Sequence, residues 1–220
     1  MTQEEPEVAS LDELHCFVTP IYIAKQPQFL ETVKAIAADS IKQVHGKKKP
    51  DKIHPVLMSD SLLEDERIEE FAGFVGSTAW NILSSQGYAM DQFSTTFTEM
   101  WCQEHYQTAS MDYHAHPGGN FLVGFYFLDT PEGCSPAIIH DPRPGRVMLD
   151  LPQADMSQIS LASTVVSFVP EPGMLMFAPA WLAHSFNRNA SKSPFRFVHF
   201  NITVASNAPV ACPMPEAEII

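Results

Sequence analysis

A chain of 220 residues with 45% hydrophobic and 10% aromatic side chains holds enough apolar material for one well-buried core, so a single domain over 1–220 is expected. Its 26 acidic and 13 basic residues leave a formal charge of −13, and the only basic run, Lys47, Lys48 and Lys49, is too short to track phosphates; nucleic acid and anionic membrane are poor partners. No apolar stretch approaches the roughly 18 residues of a membrane span, and the N-terminus MTQEEPEVAS is acidic where a signal or transit peptide is basic, so the expected location is cytoplasmic.

In chain order, the first 12 residues are polar and acidic and are expected to carry no chemistry. Between residues 27 and 45, Phe29, Leu30, Val33, Ile36, Ala37, Ile41 and Val44 recur at steps of three and four, with Pro27 at the start and Gly46 past the end; this predicts an amphipathic helix. A second helical pattern runs over 62–86 through Leu63, Ile68, Phe71, Phe74, Val75, Ile82 and Leu83, with Asp60 or Ser61 as caps and Gly87 as the stop. After Gly87 the period changes to two: strands are predicted near 93–101, 121–128, 137–140, 164–169, 174–177 and 195–204. Many short strands without intervening helices predict a mainly β fold with two N-terminal helices, a jelly roll. The predicted organisation is an opening strand and helices over 13–90, the jelly-roll core over 91–205 and a tail over 206–220, with 142–163 as the longest internal loop. Cys16, Cys102, Cys134 and Cys212 lie far apart with no C-x-x-C pair, and read as reduced structural thiols.

The segment MDYHAHPGG places His114 and His116 two residues apart at the end of a strand-like run, where positions i and i+2 share a face. Nine histidines in 220 residues yield an H-x-H by chance about 0.4 times, so the pair alone is a weak signal. A third histidine, His184 in PAWLAHSFNRN, comes directly after the strand-like run GMLMFAP and strengthens it; the competing reading is a capped surface histidine. Arg196 in FRFVHFNITV shares the most apolar face of its strand with Val198, Phe200, Ile202 and Val204, and a guanidinium there requires an anionic partner, either a protein carboxylate or the carboxylate of a bound molecule. Two convergent histidines, a distant third and an inward arginine are what a mononuclear Fe(II) site with an organic co-substrate requires, with open coordination positions left on the ion.

The blocks DYHAHPGGNFLVGFYFL, IIHDPRPG, PGMLMFAPAWLAHSF and FRFVHFNI, together with the opening HCFVTPIYIA, resemble the Fe(II)/2-oxoglutarate-dependent oxygenases, in particular a small group with H-x-H-P, D-P-R and W-L-x-H blocks. The resemblance covers about residues 93–205. It implies a double-stranded β-helix, Fe(II) held by His114 and His184, 2-oxoglutarate chelating the iron while Arg196 holds its distal carboxylate, and O₂ as the oxidant in the hydroxylation of a peptide, amino acid or small molecule. The chain departs from the wider superfamily at His116, where H-x-D or H-x-E supplies a carboxylate. Either the triad is His114, His116 and His184, or a carboxylate such as Asp141 of HDPRP joins as a ligand or an orienting partner, with Arg143 beside it toward substrate or co-substrate. Tyr113, Tyr126, Trp181 and Asn201 flank these blocks, although aromatic residues on strands more often belong to the core.

Two other readings stand beside the oxygenase. One is a cupin-like metalloenzyme that binds its substrate directly at a three-histidine site without 2-oxoglutarate; the other is a non-catalytic jelly-roll protein whose histidines form a core cluster.

Overall fold

The computed structural model describes residues 12–47, 49–149 and 151–207, so the first 11 residues, Cys212 and nearly all of the tail expected over 206–220 lie outside the described residues. Among the described residues ten strands and two α-helices are formed: β1 (Tyr22–Lys25), α1 (Leu30–His45), β2 (Val56–Met58), α2 (Glu69–Ser85), β3 (Phe93–His105), β4 (Met111–His114), β5 (Leu122–Asp129), β6 (Ala137–His140), β7 (Val165–Phe168), β8 (Met174–Pro179), β9 (His184–Phe186) and β10 (Phe195–Ser206). A six-stranded antiparallel sheet in the order β1-β8-β5-β10-β3-β2 faces a four-stranded antiparallel sheet in the order β4-β9-β6-β7. This is the double-stranded β-helix expected from the sequence.

The helices form where the apolar spacing predicts them. Pro27 opens a 3-10 turn whose Phe29 is buried, and α1 continues it, burying Val33, Ile36, Ala37 and Ile41 along one stripe until the Gly46 N–H closes on Lys42 O. The second pattern is broken at its start: Ser61 and Asp65 each cap a separate 3-10 turn before α2 begins, so the first seven residues of the predicted helix are two turns. Both helices pack on one face of the six-stranded sheet, burying Phe71, Val75, Ala79, Ile82 and Leu83 of α2 against Met100, Tyr126, Phe177, Val198 and Phe200.

The other face of that sheet looks inward to the smaller sheet, where Val123, Phe125, Phe127, Met176, Phe195 and Phe197 meet Ala137, Ile139 and Phe186. The central strands are therefore apolar on both sides; seven of the eight residues of β5 are buried. Gly124 of β5 lies opposite Phe200, and a Cβ there would stand 2.1 Å from the Phe200 ring, so only glycine admits that ring. Strands β2 and β9, each three residues long, are too short to show a period and were not expected.

One ionic cluster lies on the helix-facing side. Glu104 of β3, fully buried, accepts from the Arg196 guanidinium and the Tyr106 hydroxyl, with His45 Nε2 of α1 2.9 Å from the same carboxylate. Arg196 also reaches Asp129 at 3.2 Å, and Lys34 of α1 pairs with Asp129 at 3.0 Å. Burial alone would raise the Glu104 pKa, but the hydrogen bonds from Tyr106, Arg196 and His45 outweigh it and hold the carboxyl below its usual range.

Candidate metal centre

His114 ends β4 directly opposite His184 of β9, and their rings lie 4.5 Å apart. His116 sits in the loop that leaves β4, its backbone N–H donating to Ala180 O at 2.8 Å. Gly118 and Gly119 then take positive φ values of 92° and 88°, which return the chain across the end of the sandwich. The loop is tied down where it crosses: Thr203 Oγ1 donates to Gly119 O at 2.7 Å, and the Phe121 N–H to Ile202 O at 2.8 Å. A paired strand end, a pinned loop and a second strand thus fix the three imidazoles.

One ring nitrogen from each of the three lies within 4.8 Å of the others. His116 Nε2 and His184 Nε2 are 3.3 Å apart. Metal–imidazole bonds of about 2.1 Å put neighbouring ligand nitrogens about 3.0 to 3.4 Å apart at octahedral to tetrahedral angles, so this spacing suits one ion. The other ring nitrogens are fixed by the backbone: His114 Nδ1 sits 2.6 Å from Asp112 O and His184 Nδ1 3.1 Å from Leu182 O. Nδ1–H donated to a carbonyl leaves the Nε2 lone pair free to ligate.

Burial first, reinforced by the His114 charge, pushes the His116 pKa down to about 4. Burial likewise takes His184 to about 3, with Leu182 O acting in the opposite sense and the neighbouring histidines adding to the fall. Both rings are neutral at pH 7, which is the state that binds metal. The three histidines therefore form a cluster capable of coordinating a metal ion.

The remaining candidates do not join them. Arg196, expected on the interior face, lies on the opposite face with Val198, Phe200 and Ile202, and its anionic partners are Glu104 and Asp129 of the protein. The most apolar face of β10 is the one covered by α1 and α2, not the one lining the interior. Asp141 is outside the histidine cluster; its carboxylate is held by Arg143, Nε at 2.9 Å and Nη2 at 2.7 Å, and Arg143 also donates to Leu161 O. That ion pair borders a cavity of about 820 Å³ beside Leu14, Phe17, Val166 and Leu182. Tyr113 and Trp181 are exposed, and Tyr126 is core, its hydroxyl donating to Gln26 O.

The interior face of β10 carries Phe195, Phe197, His199 and Asn201 instead. His199, which sequence reasoning passes over, is 1% exposed, with its ring 4.7 Å from His116 and 4.6 Å from Trp101 of β3. Its pKa is held well below the usual range by burial and then by the neighbouring histidines; Asn201 acts weakly the other way, through an approach that does not meet hydrogen-bond geometry. The available signal is parity, since His199 and Asn201 are odd-numbered positions in a strand whose even-numbered face reads as inward from its apolar content. A cavity of about 510 Å³, bordered by His114, Asp112, Met111 and His54, opens beside the cluster.

Residues 99–201 match the family described as "Putative 2OG-Fe(II) oxygenase". Nothing among curated proteins matches the chain. Solved structures with the same fold include a prolyl-4-hydroxylase from Pseudomonas putida, 10% identical over 84% of this chain and 93% of that one, with a TM-score of 0.54. They also include an oxidoreductase of the 2OG-Fe(II) oxygenase family from Burkholderia pseudomallei, 10% identical over 79% and 77%, with a TM-score of 0.51. A third is SnoN, a non-heme alpha ketoglutarate dependent epimerase from nogalamycin biosynthesis, 12% identical over 86% and 81%, with a TM-score of 0.55. Among the described residues no helix is long and apolar enough to cross a membrane. The residues that match this family model include every histidine of the cluster, and the architecture is the one shared with these solved structures.

Proposed function

We propose that the protein is a mononuclear non-heme iron dioxygenase in which His114, His116 and His184 hold Fe(II) and the organic substrate binds the metal directly, without 2-oxoglutarate. The observation that carries this reading is the donor set: three imidazoles and no carboxylate in the cluster, with no Lys or Arg buried among the described residues to receive a distal carboxylate. When bound, Fe(II) supplies a Lewis acid with open positions at which substrate and O₂ meet.

The protein's part is set by its residues. The carbonyls of Asp112 and Leu182 hold His114 and His184 in the ligating tautomer. Three neutral ligands would leave the 2+ charge of a bound ion uncompensated, so the site would favour an anionic substrate group such as a carboxylate, hydroxamate-like or enolate oxygen. The cavity bordered by His114, Asp112 and His54 would give substrate a way to that edge of the cluster. Without a co-substrate, all four electrons that reduce O₂ come from the substrate, and both oxygen atoms end in the product.

A second reading, a 2-oxoglutarate-dependent hydroxylase, draws support from the family match over 99–201. Anaerobic titration of the apo-protein with Fe(II) and then 2-oxoglutarate separates the two. The proposed reading expects one Fe(II) per chain and no visible charge-transfer band on adding 2-oxoglutarate. The appearance of that band would favour the hydroxylase, and failure to take up Fe(II) would leave the non-catalytic jelly roll.

A further inference from the structure

Next to the histidine cluster, on the interior faces of β3 and β10, three polar side chains converge and remain unpaired. Trp101 Nε1, both ring nitrogens of His199 and Asn201 Oδ1 are shut from solvent and have no hydrogen-bond partner among the described residues. The register explains the convergence: His199 pairs with Trp101 across the strands, and Asn201, two residues along the same face, pairs with Glu99. Asn201 Nδ2 is already committed to Glu99 Oε2 at 2.7 Å, which fixes the amide with its oxygen unpaired. On the other side β5 supplies only Val123 and Phe125.

Each unpaired buried polar atom gives up its hydrogen bonds to water for nothing in return, so four in one patch is a large penalty for a structure with no use for them. A hydrogen bond between His199 and Asn201 would relieve one donor and one acceptor, but it would leave Trp101 Nε1–H and the second His199 nitrogen as they are. The patch offers two donors and two acceptors, with no cation buried beside it among the described residues. A carboxylate could use the donors, but it would face Asn201 Oδ1, with Glu99 behind it. A hydroxyl or carboxamide uses both kinds of group. Trp101 is only partly buried and packs over His199, their ring centroids 4.6 Å apart.

We propose that Trp101, His199 and Asn201 form a recognition subsite for an uncharged hydroxyl or carboxamide end of the molecule whose other, anionic end binds the metal at His114, His116 and His184. The proposal rests on the three-histidine reading above. It assigns the substrate class as a small acid bearing a neutral polar group, and it rejects a dicarboxylate.

The test uses full-length protein loaded with Co(II), whose visible bands report ligand binding, and two succinic hydroxamates of equal length, one ending in a carboxamide and one in a carboxylate. Co(II) uptake is read first, and uptake of one ion per chain establishes that the fold and the histidines are intact. The carboxamide probe is expected to bind at least about tenfold more tightly than the carboxylate probe. Trp101→Phe and His199→Phe, each judged only if it takes up Co(II), are expected to bring the two affinities together. Equal or tighter binding of the carboxylate probe, no response to either probe, or a preference that persists in both variants would overturn the subsite while leaving the metal centre standing. Absence of Co(II) uptake by the unmutated protein would instead overturn the three-histidine reading on which it rests.

Discussion

On the helix-facing side of β3 and β10, buried Glu104 is met by Tyr106, His45 and Arg196, and Arg196 in turn by Asp129. On the inward side of the same two strands, Trp101, His199 and Asn201 are as removed from water as Glu104 at their free polar atoms, which meet nothing among the described residues. Each patch has a desolvated centre, Glu104 in the first and the free atoms of Trp101, His199 and Asn201 in the second, so burial alone does not separate scaffold from site; satisfaction does. The first patch is complete and locks α1 to the sheet. The second, on the opposite face of the same strands, is complete only with something added, and it lies against the histidines.

The contrast can be broken from either side. The largest effect is expected at the metal: His184→Ala should lower Fe(II) or Co(II) affinity by at least about 100-fold, measured by equilibrium dialysis, because two imidazoles remain. Unchanged affinity would mean that the ion, if it binds, binds elsewhere. On the satisfied face, Glu104→Gln should cost about 2–4 kcal/mol in chemical denaturation, less than for a fully buried pair because Arg196 is 35% exposed and keeps Asp129. A loss below about 0.5 kcal/mol would show that the ionic cluster is not structural. Between the faces, Gly124→Ala should cost about 1–3 kcal/mol by forcing the Phe200 ring aside, and wild-type stability in that variant would contradict the close approach.

Acid should destabilise the metal-free protein before its carboxylates titrate. His105, His116 and His184 have folded pKa values pushed down to about 4, about 4 and about 3, in each case first by burial, against 6.5 for a free imidazole. Between pH 6.5 and about 4 the unfolded chain binds protons that the folded chain does not, so stability is full above pH 6.5 and falls as pH drops, by up to about 1.4 kcal/mol per pH unit for each group. A melting temperature equal at pH 7.5 and pH 5 would contradict buried neutral imidazoles. The smallest effect is expected on the unsatisfied face: His199→Phe should change stability by less than about 1 kcal/mol in either direction, since no hydrogen bond is lost and two unpaired atoms are removed. A large loss would mean that His199 has a structural partner.

The helices and most strands are legible in the sequence because their periods are long enough to read, and the three histidines because H-x-H and a histidine after an apolar strand survive small errors of alignment. His116 lies just past the end of β4, yet the loop pinned by Thr203 and Ala180 returns it to the same place. Arg196 is put on the wrong face and His199 is passed over for one reason. A strand buried on both faces has no apolar alternation to say which face is inward, and the face richer in Val, Phe and Ile is the one beneath the helices. Choosing the wrong parity exchanges a structural ion pair for a supposed carboxylate clamp and hides the histidine beside the three-histidine cluster. Asp141 and Arg143, both within the D-P-R block, pair with each other away from the cluster, a contact that a D-P-R turn makes locally and that spacing to the histidines cannot reveal.

The most direct test is X-ray absorption at the iron edge of the Fe(II)-loaded protein, where imidazole rings give distinctive multiple scattering. Three imidazoles with no protein carboxylate, falling to two in His116→Ala, is the result expected from His114, His116 and His184 as the ligand set. Two imidazoles plus a carboxylate in the unmutated protein, or a count that does not change in His116→Ala, would contradict it.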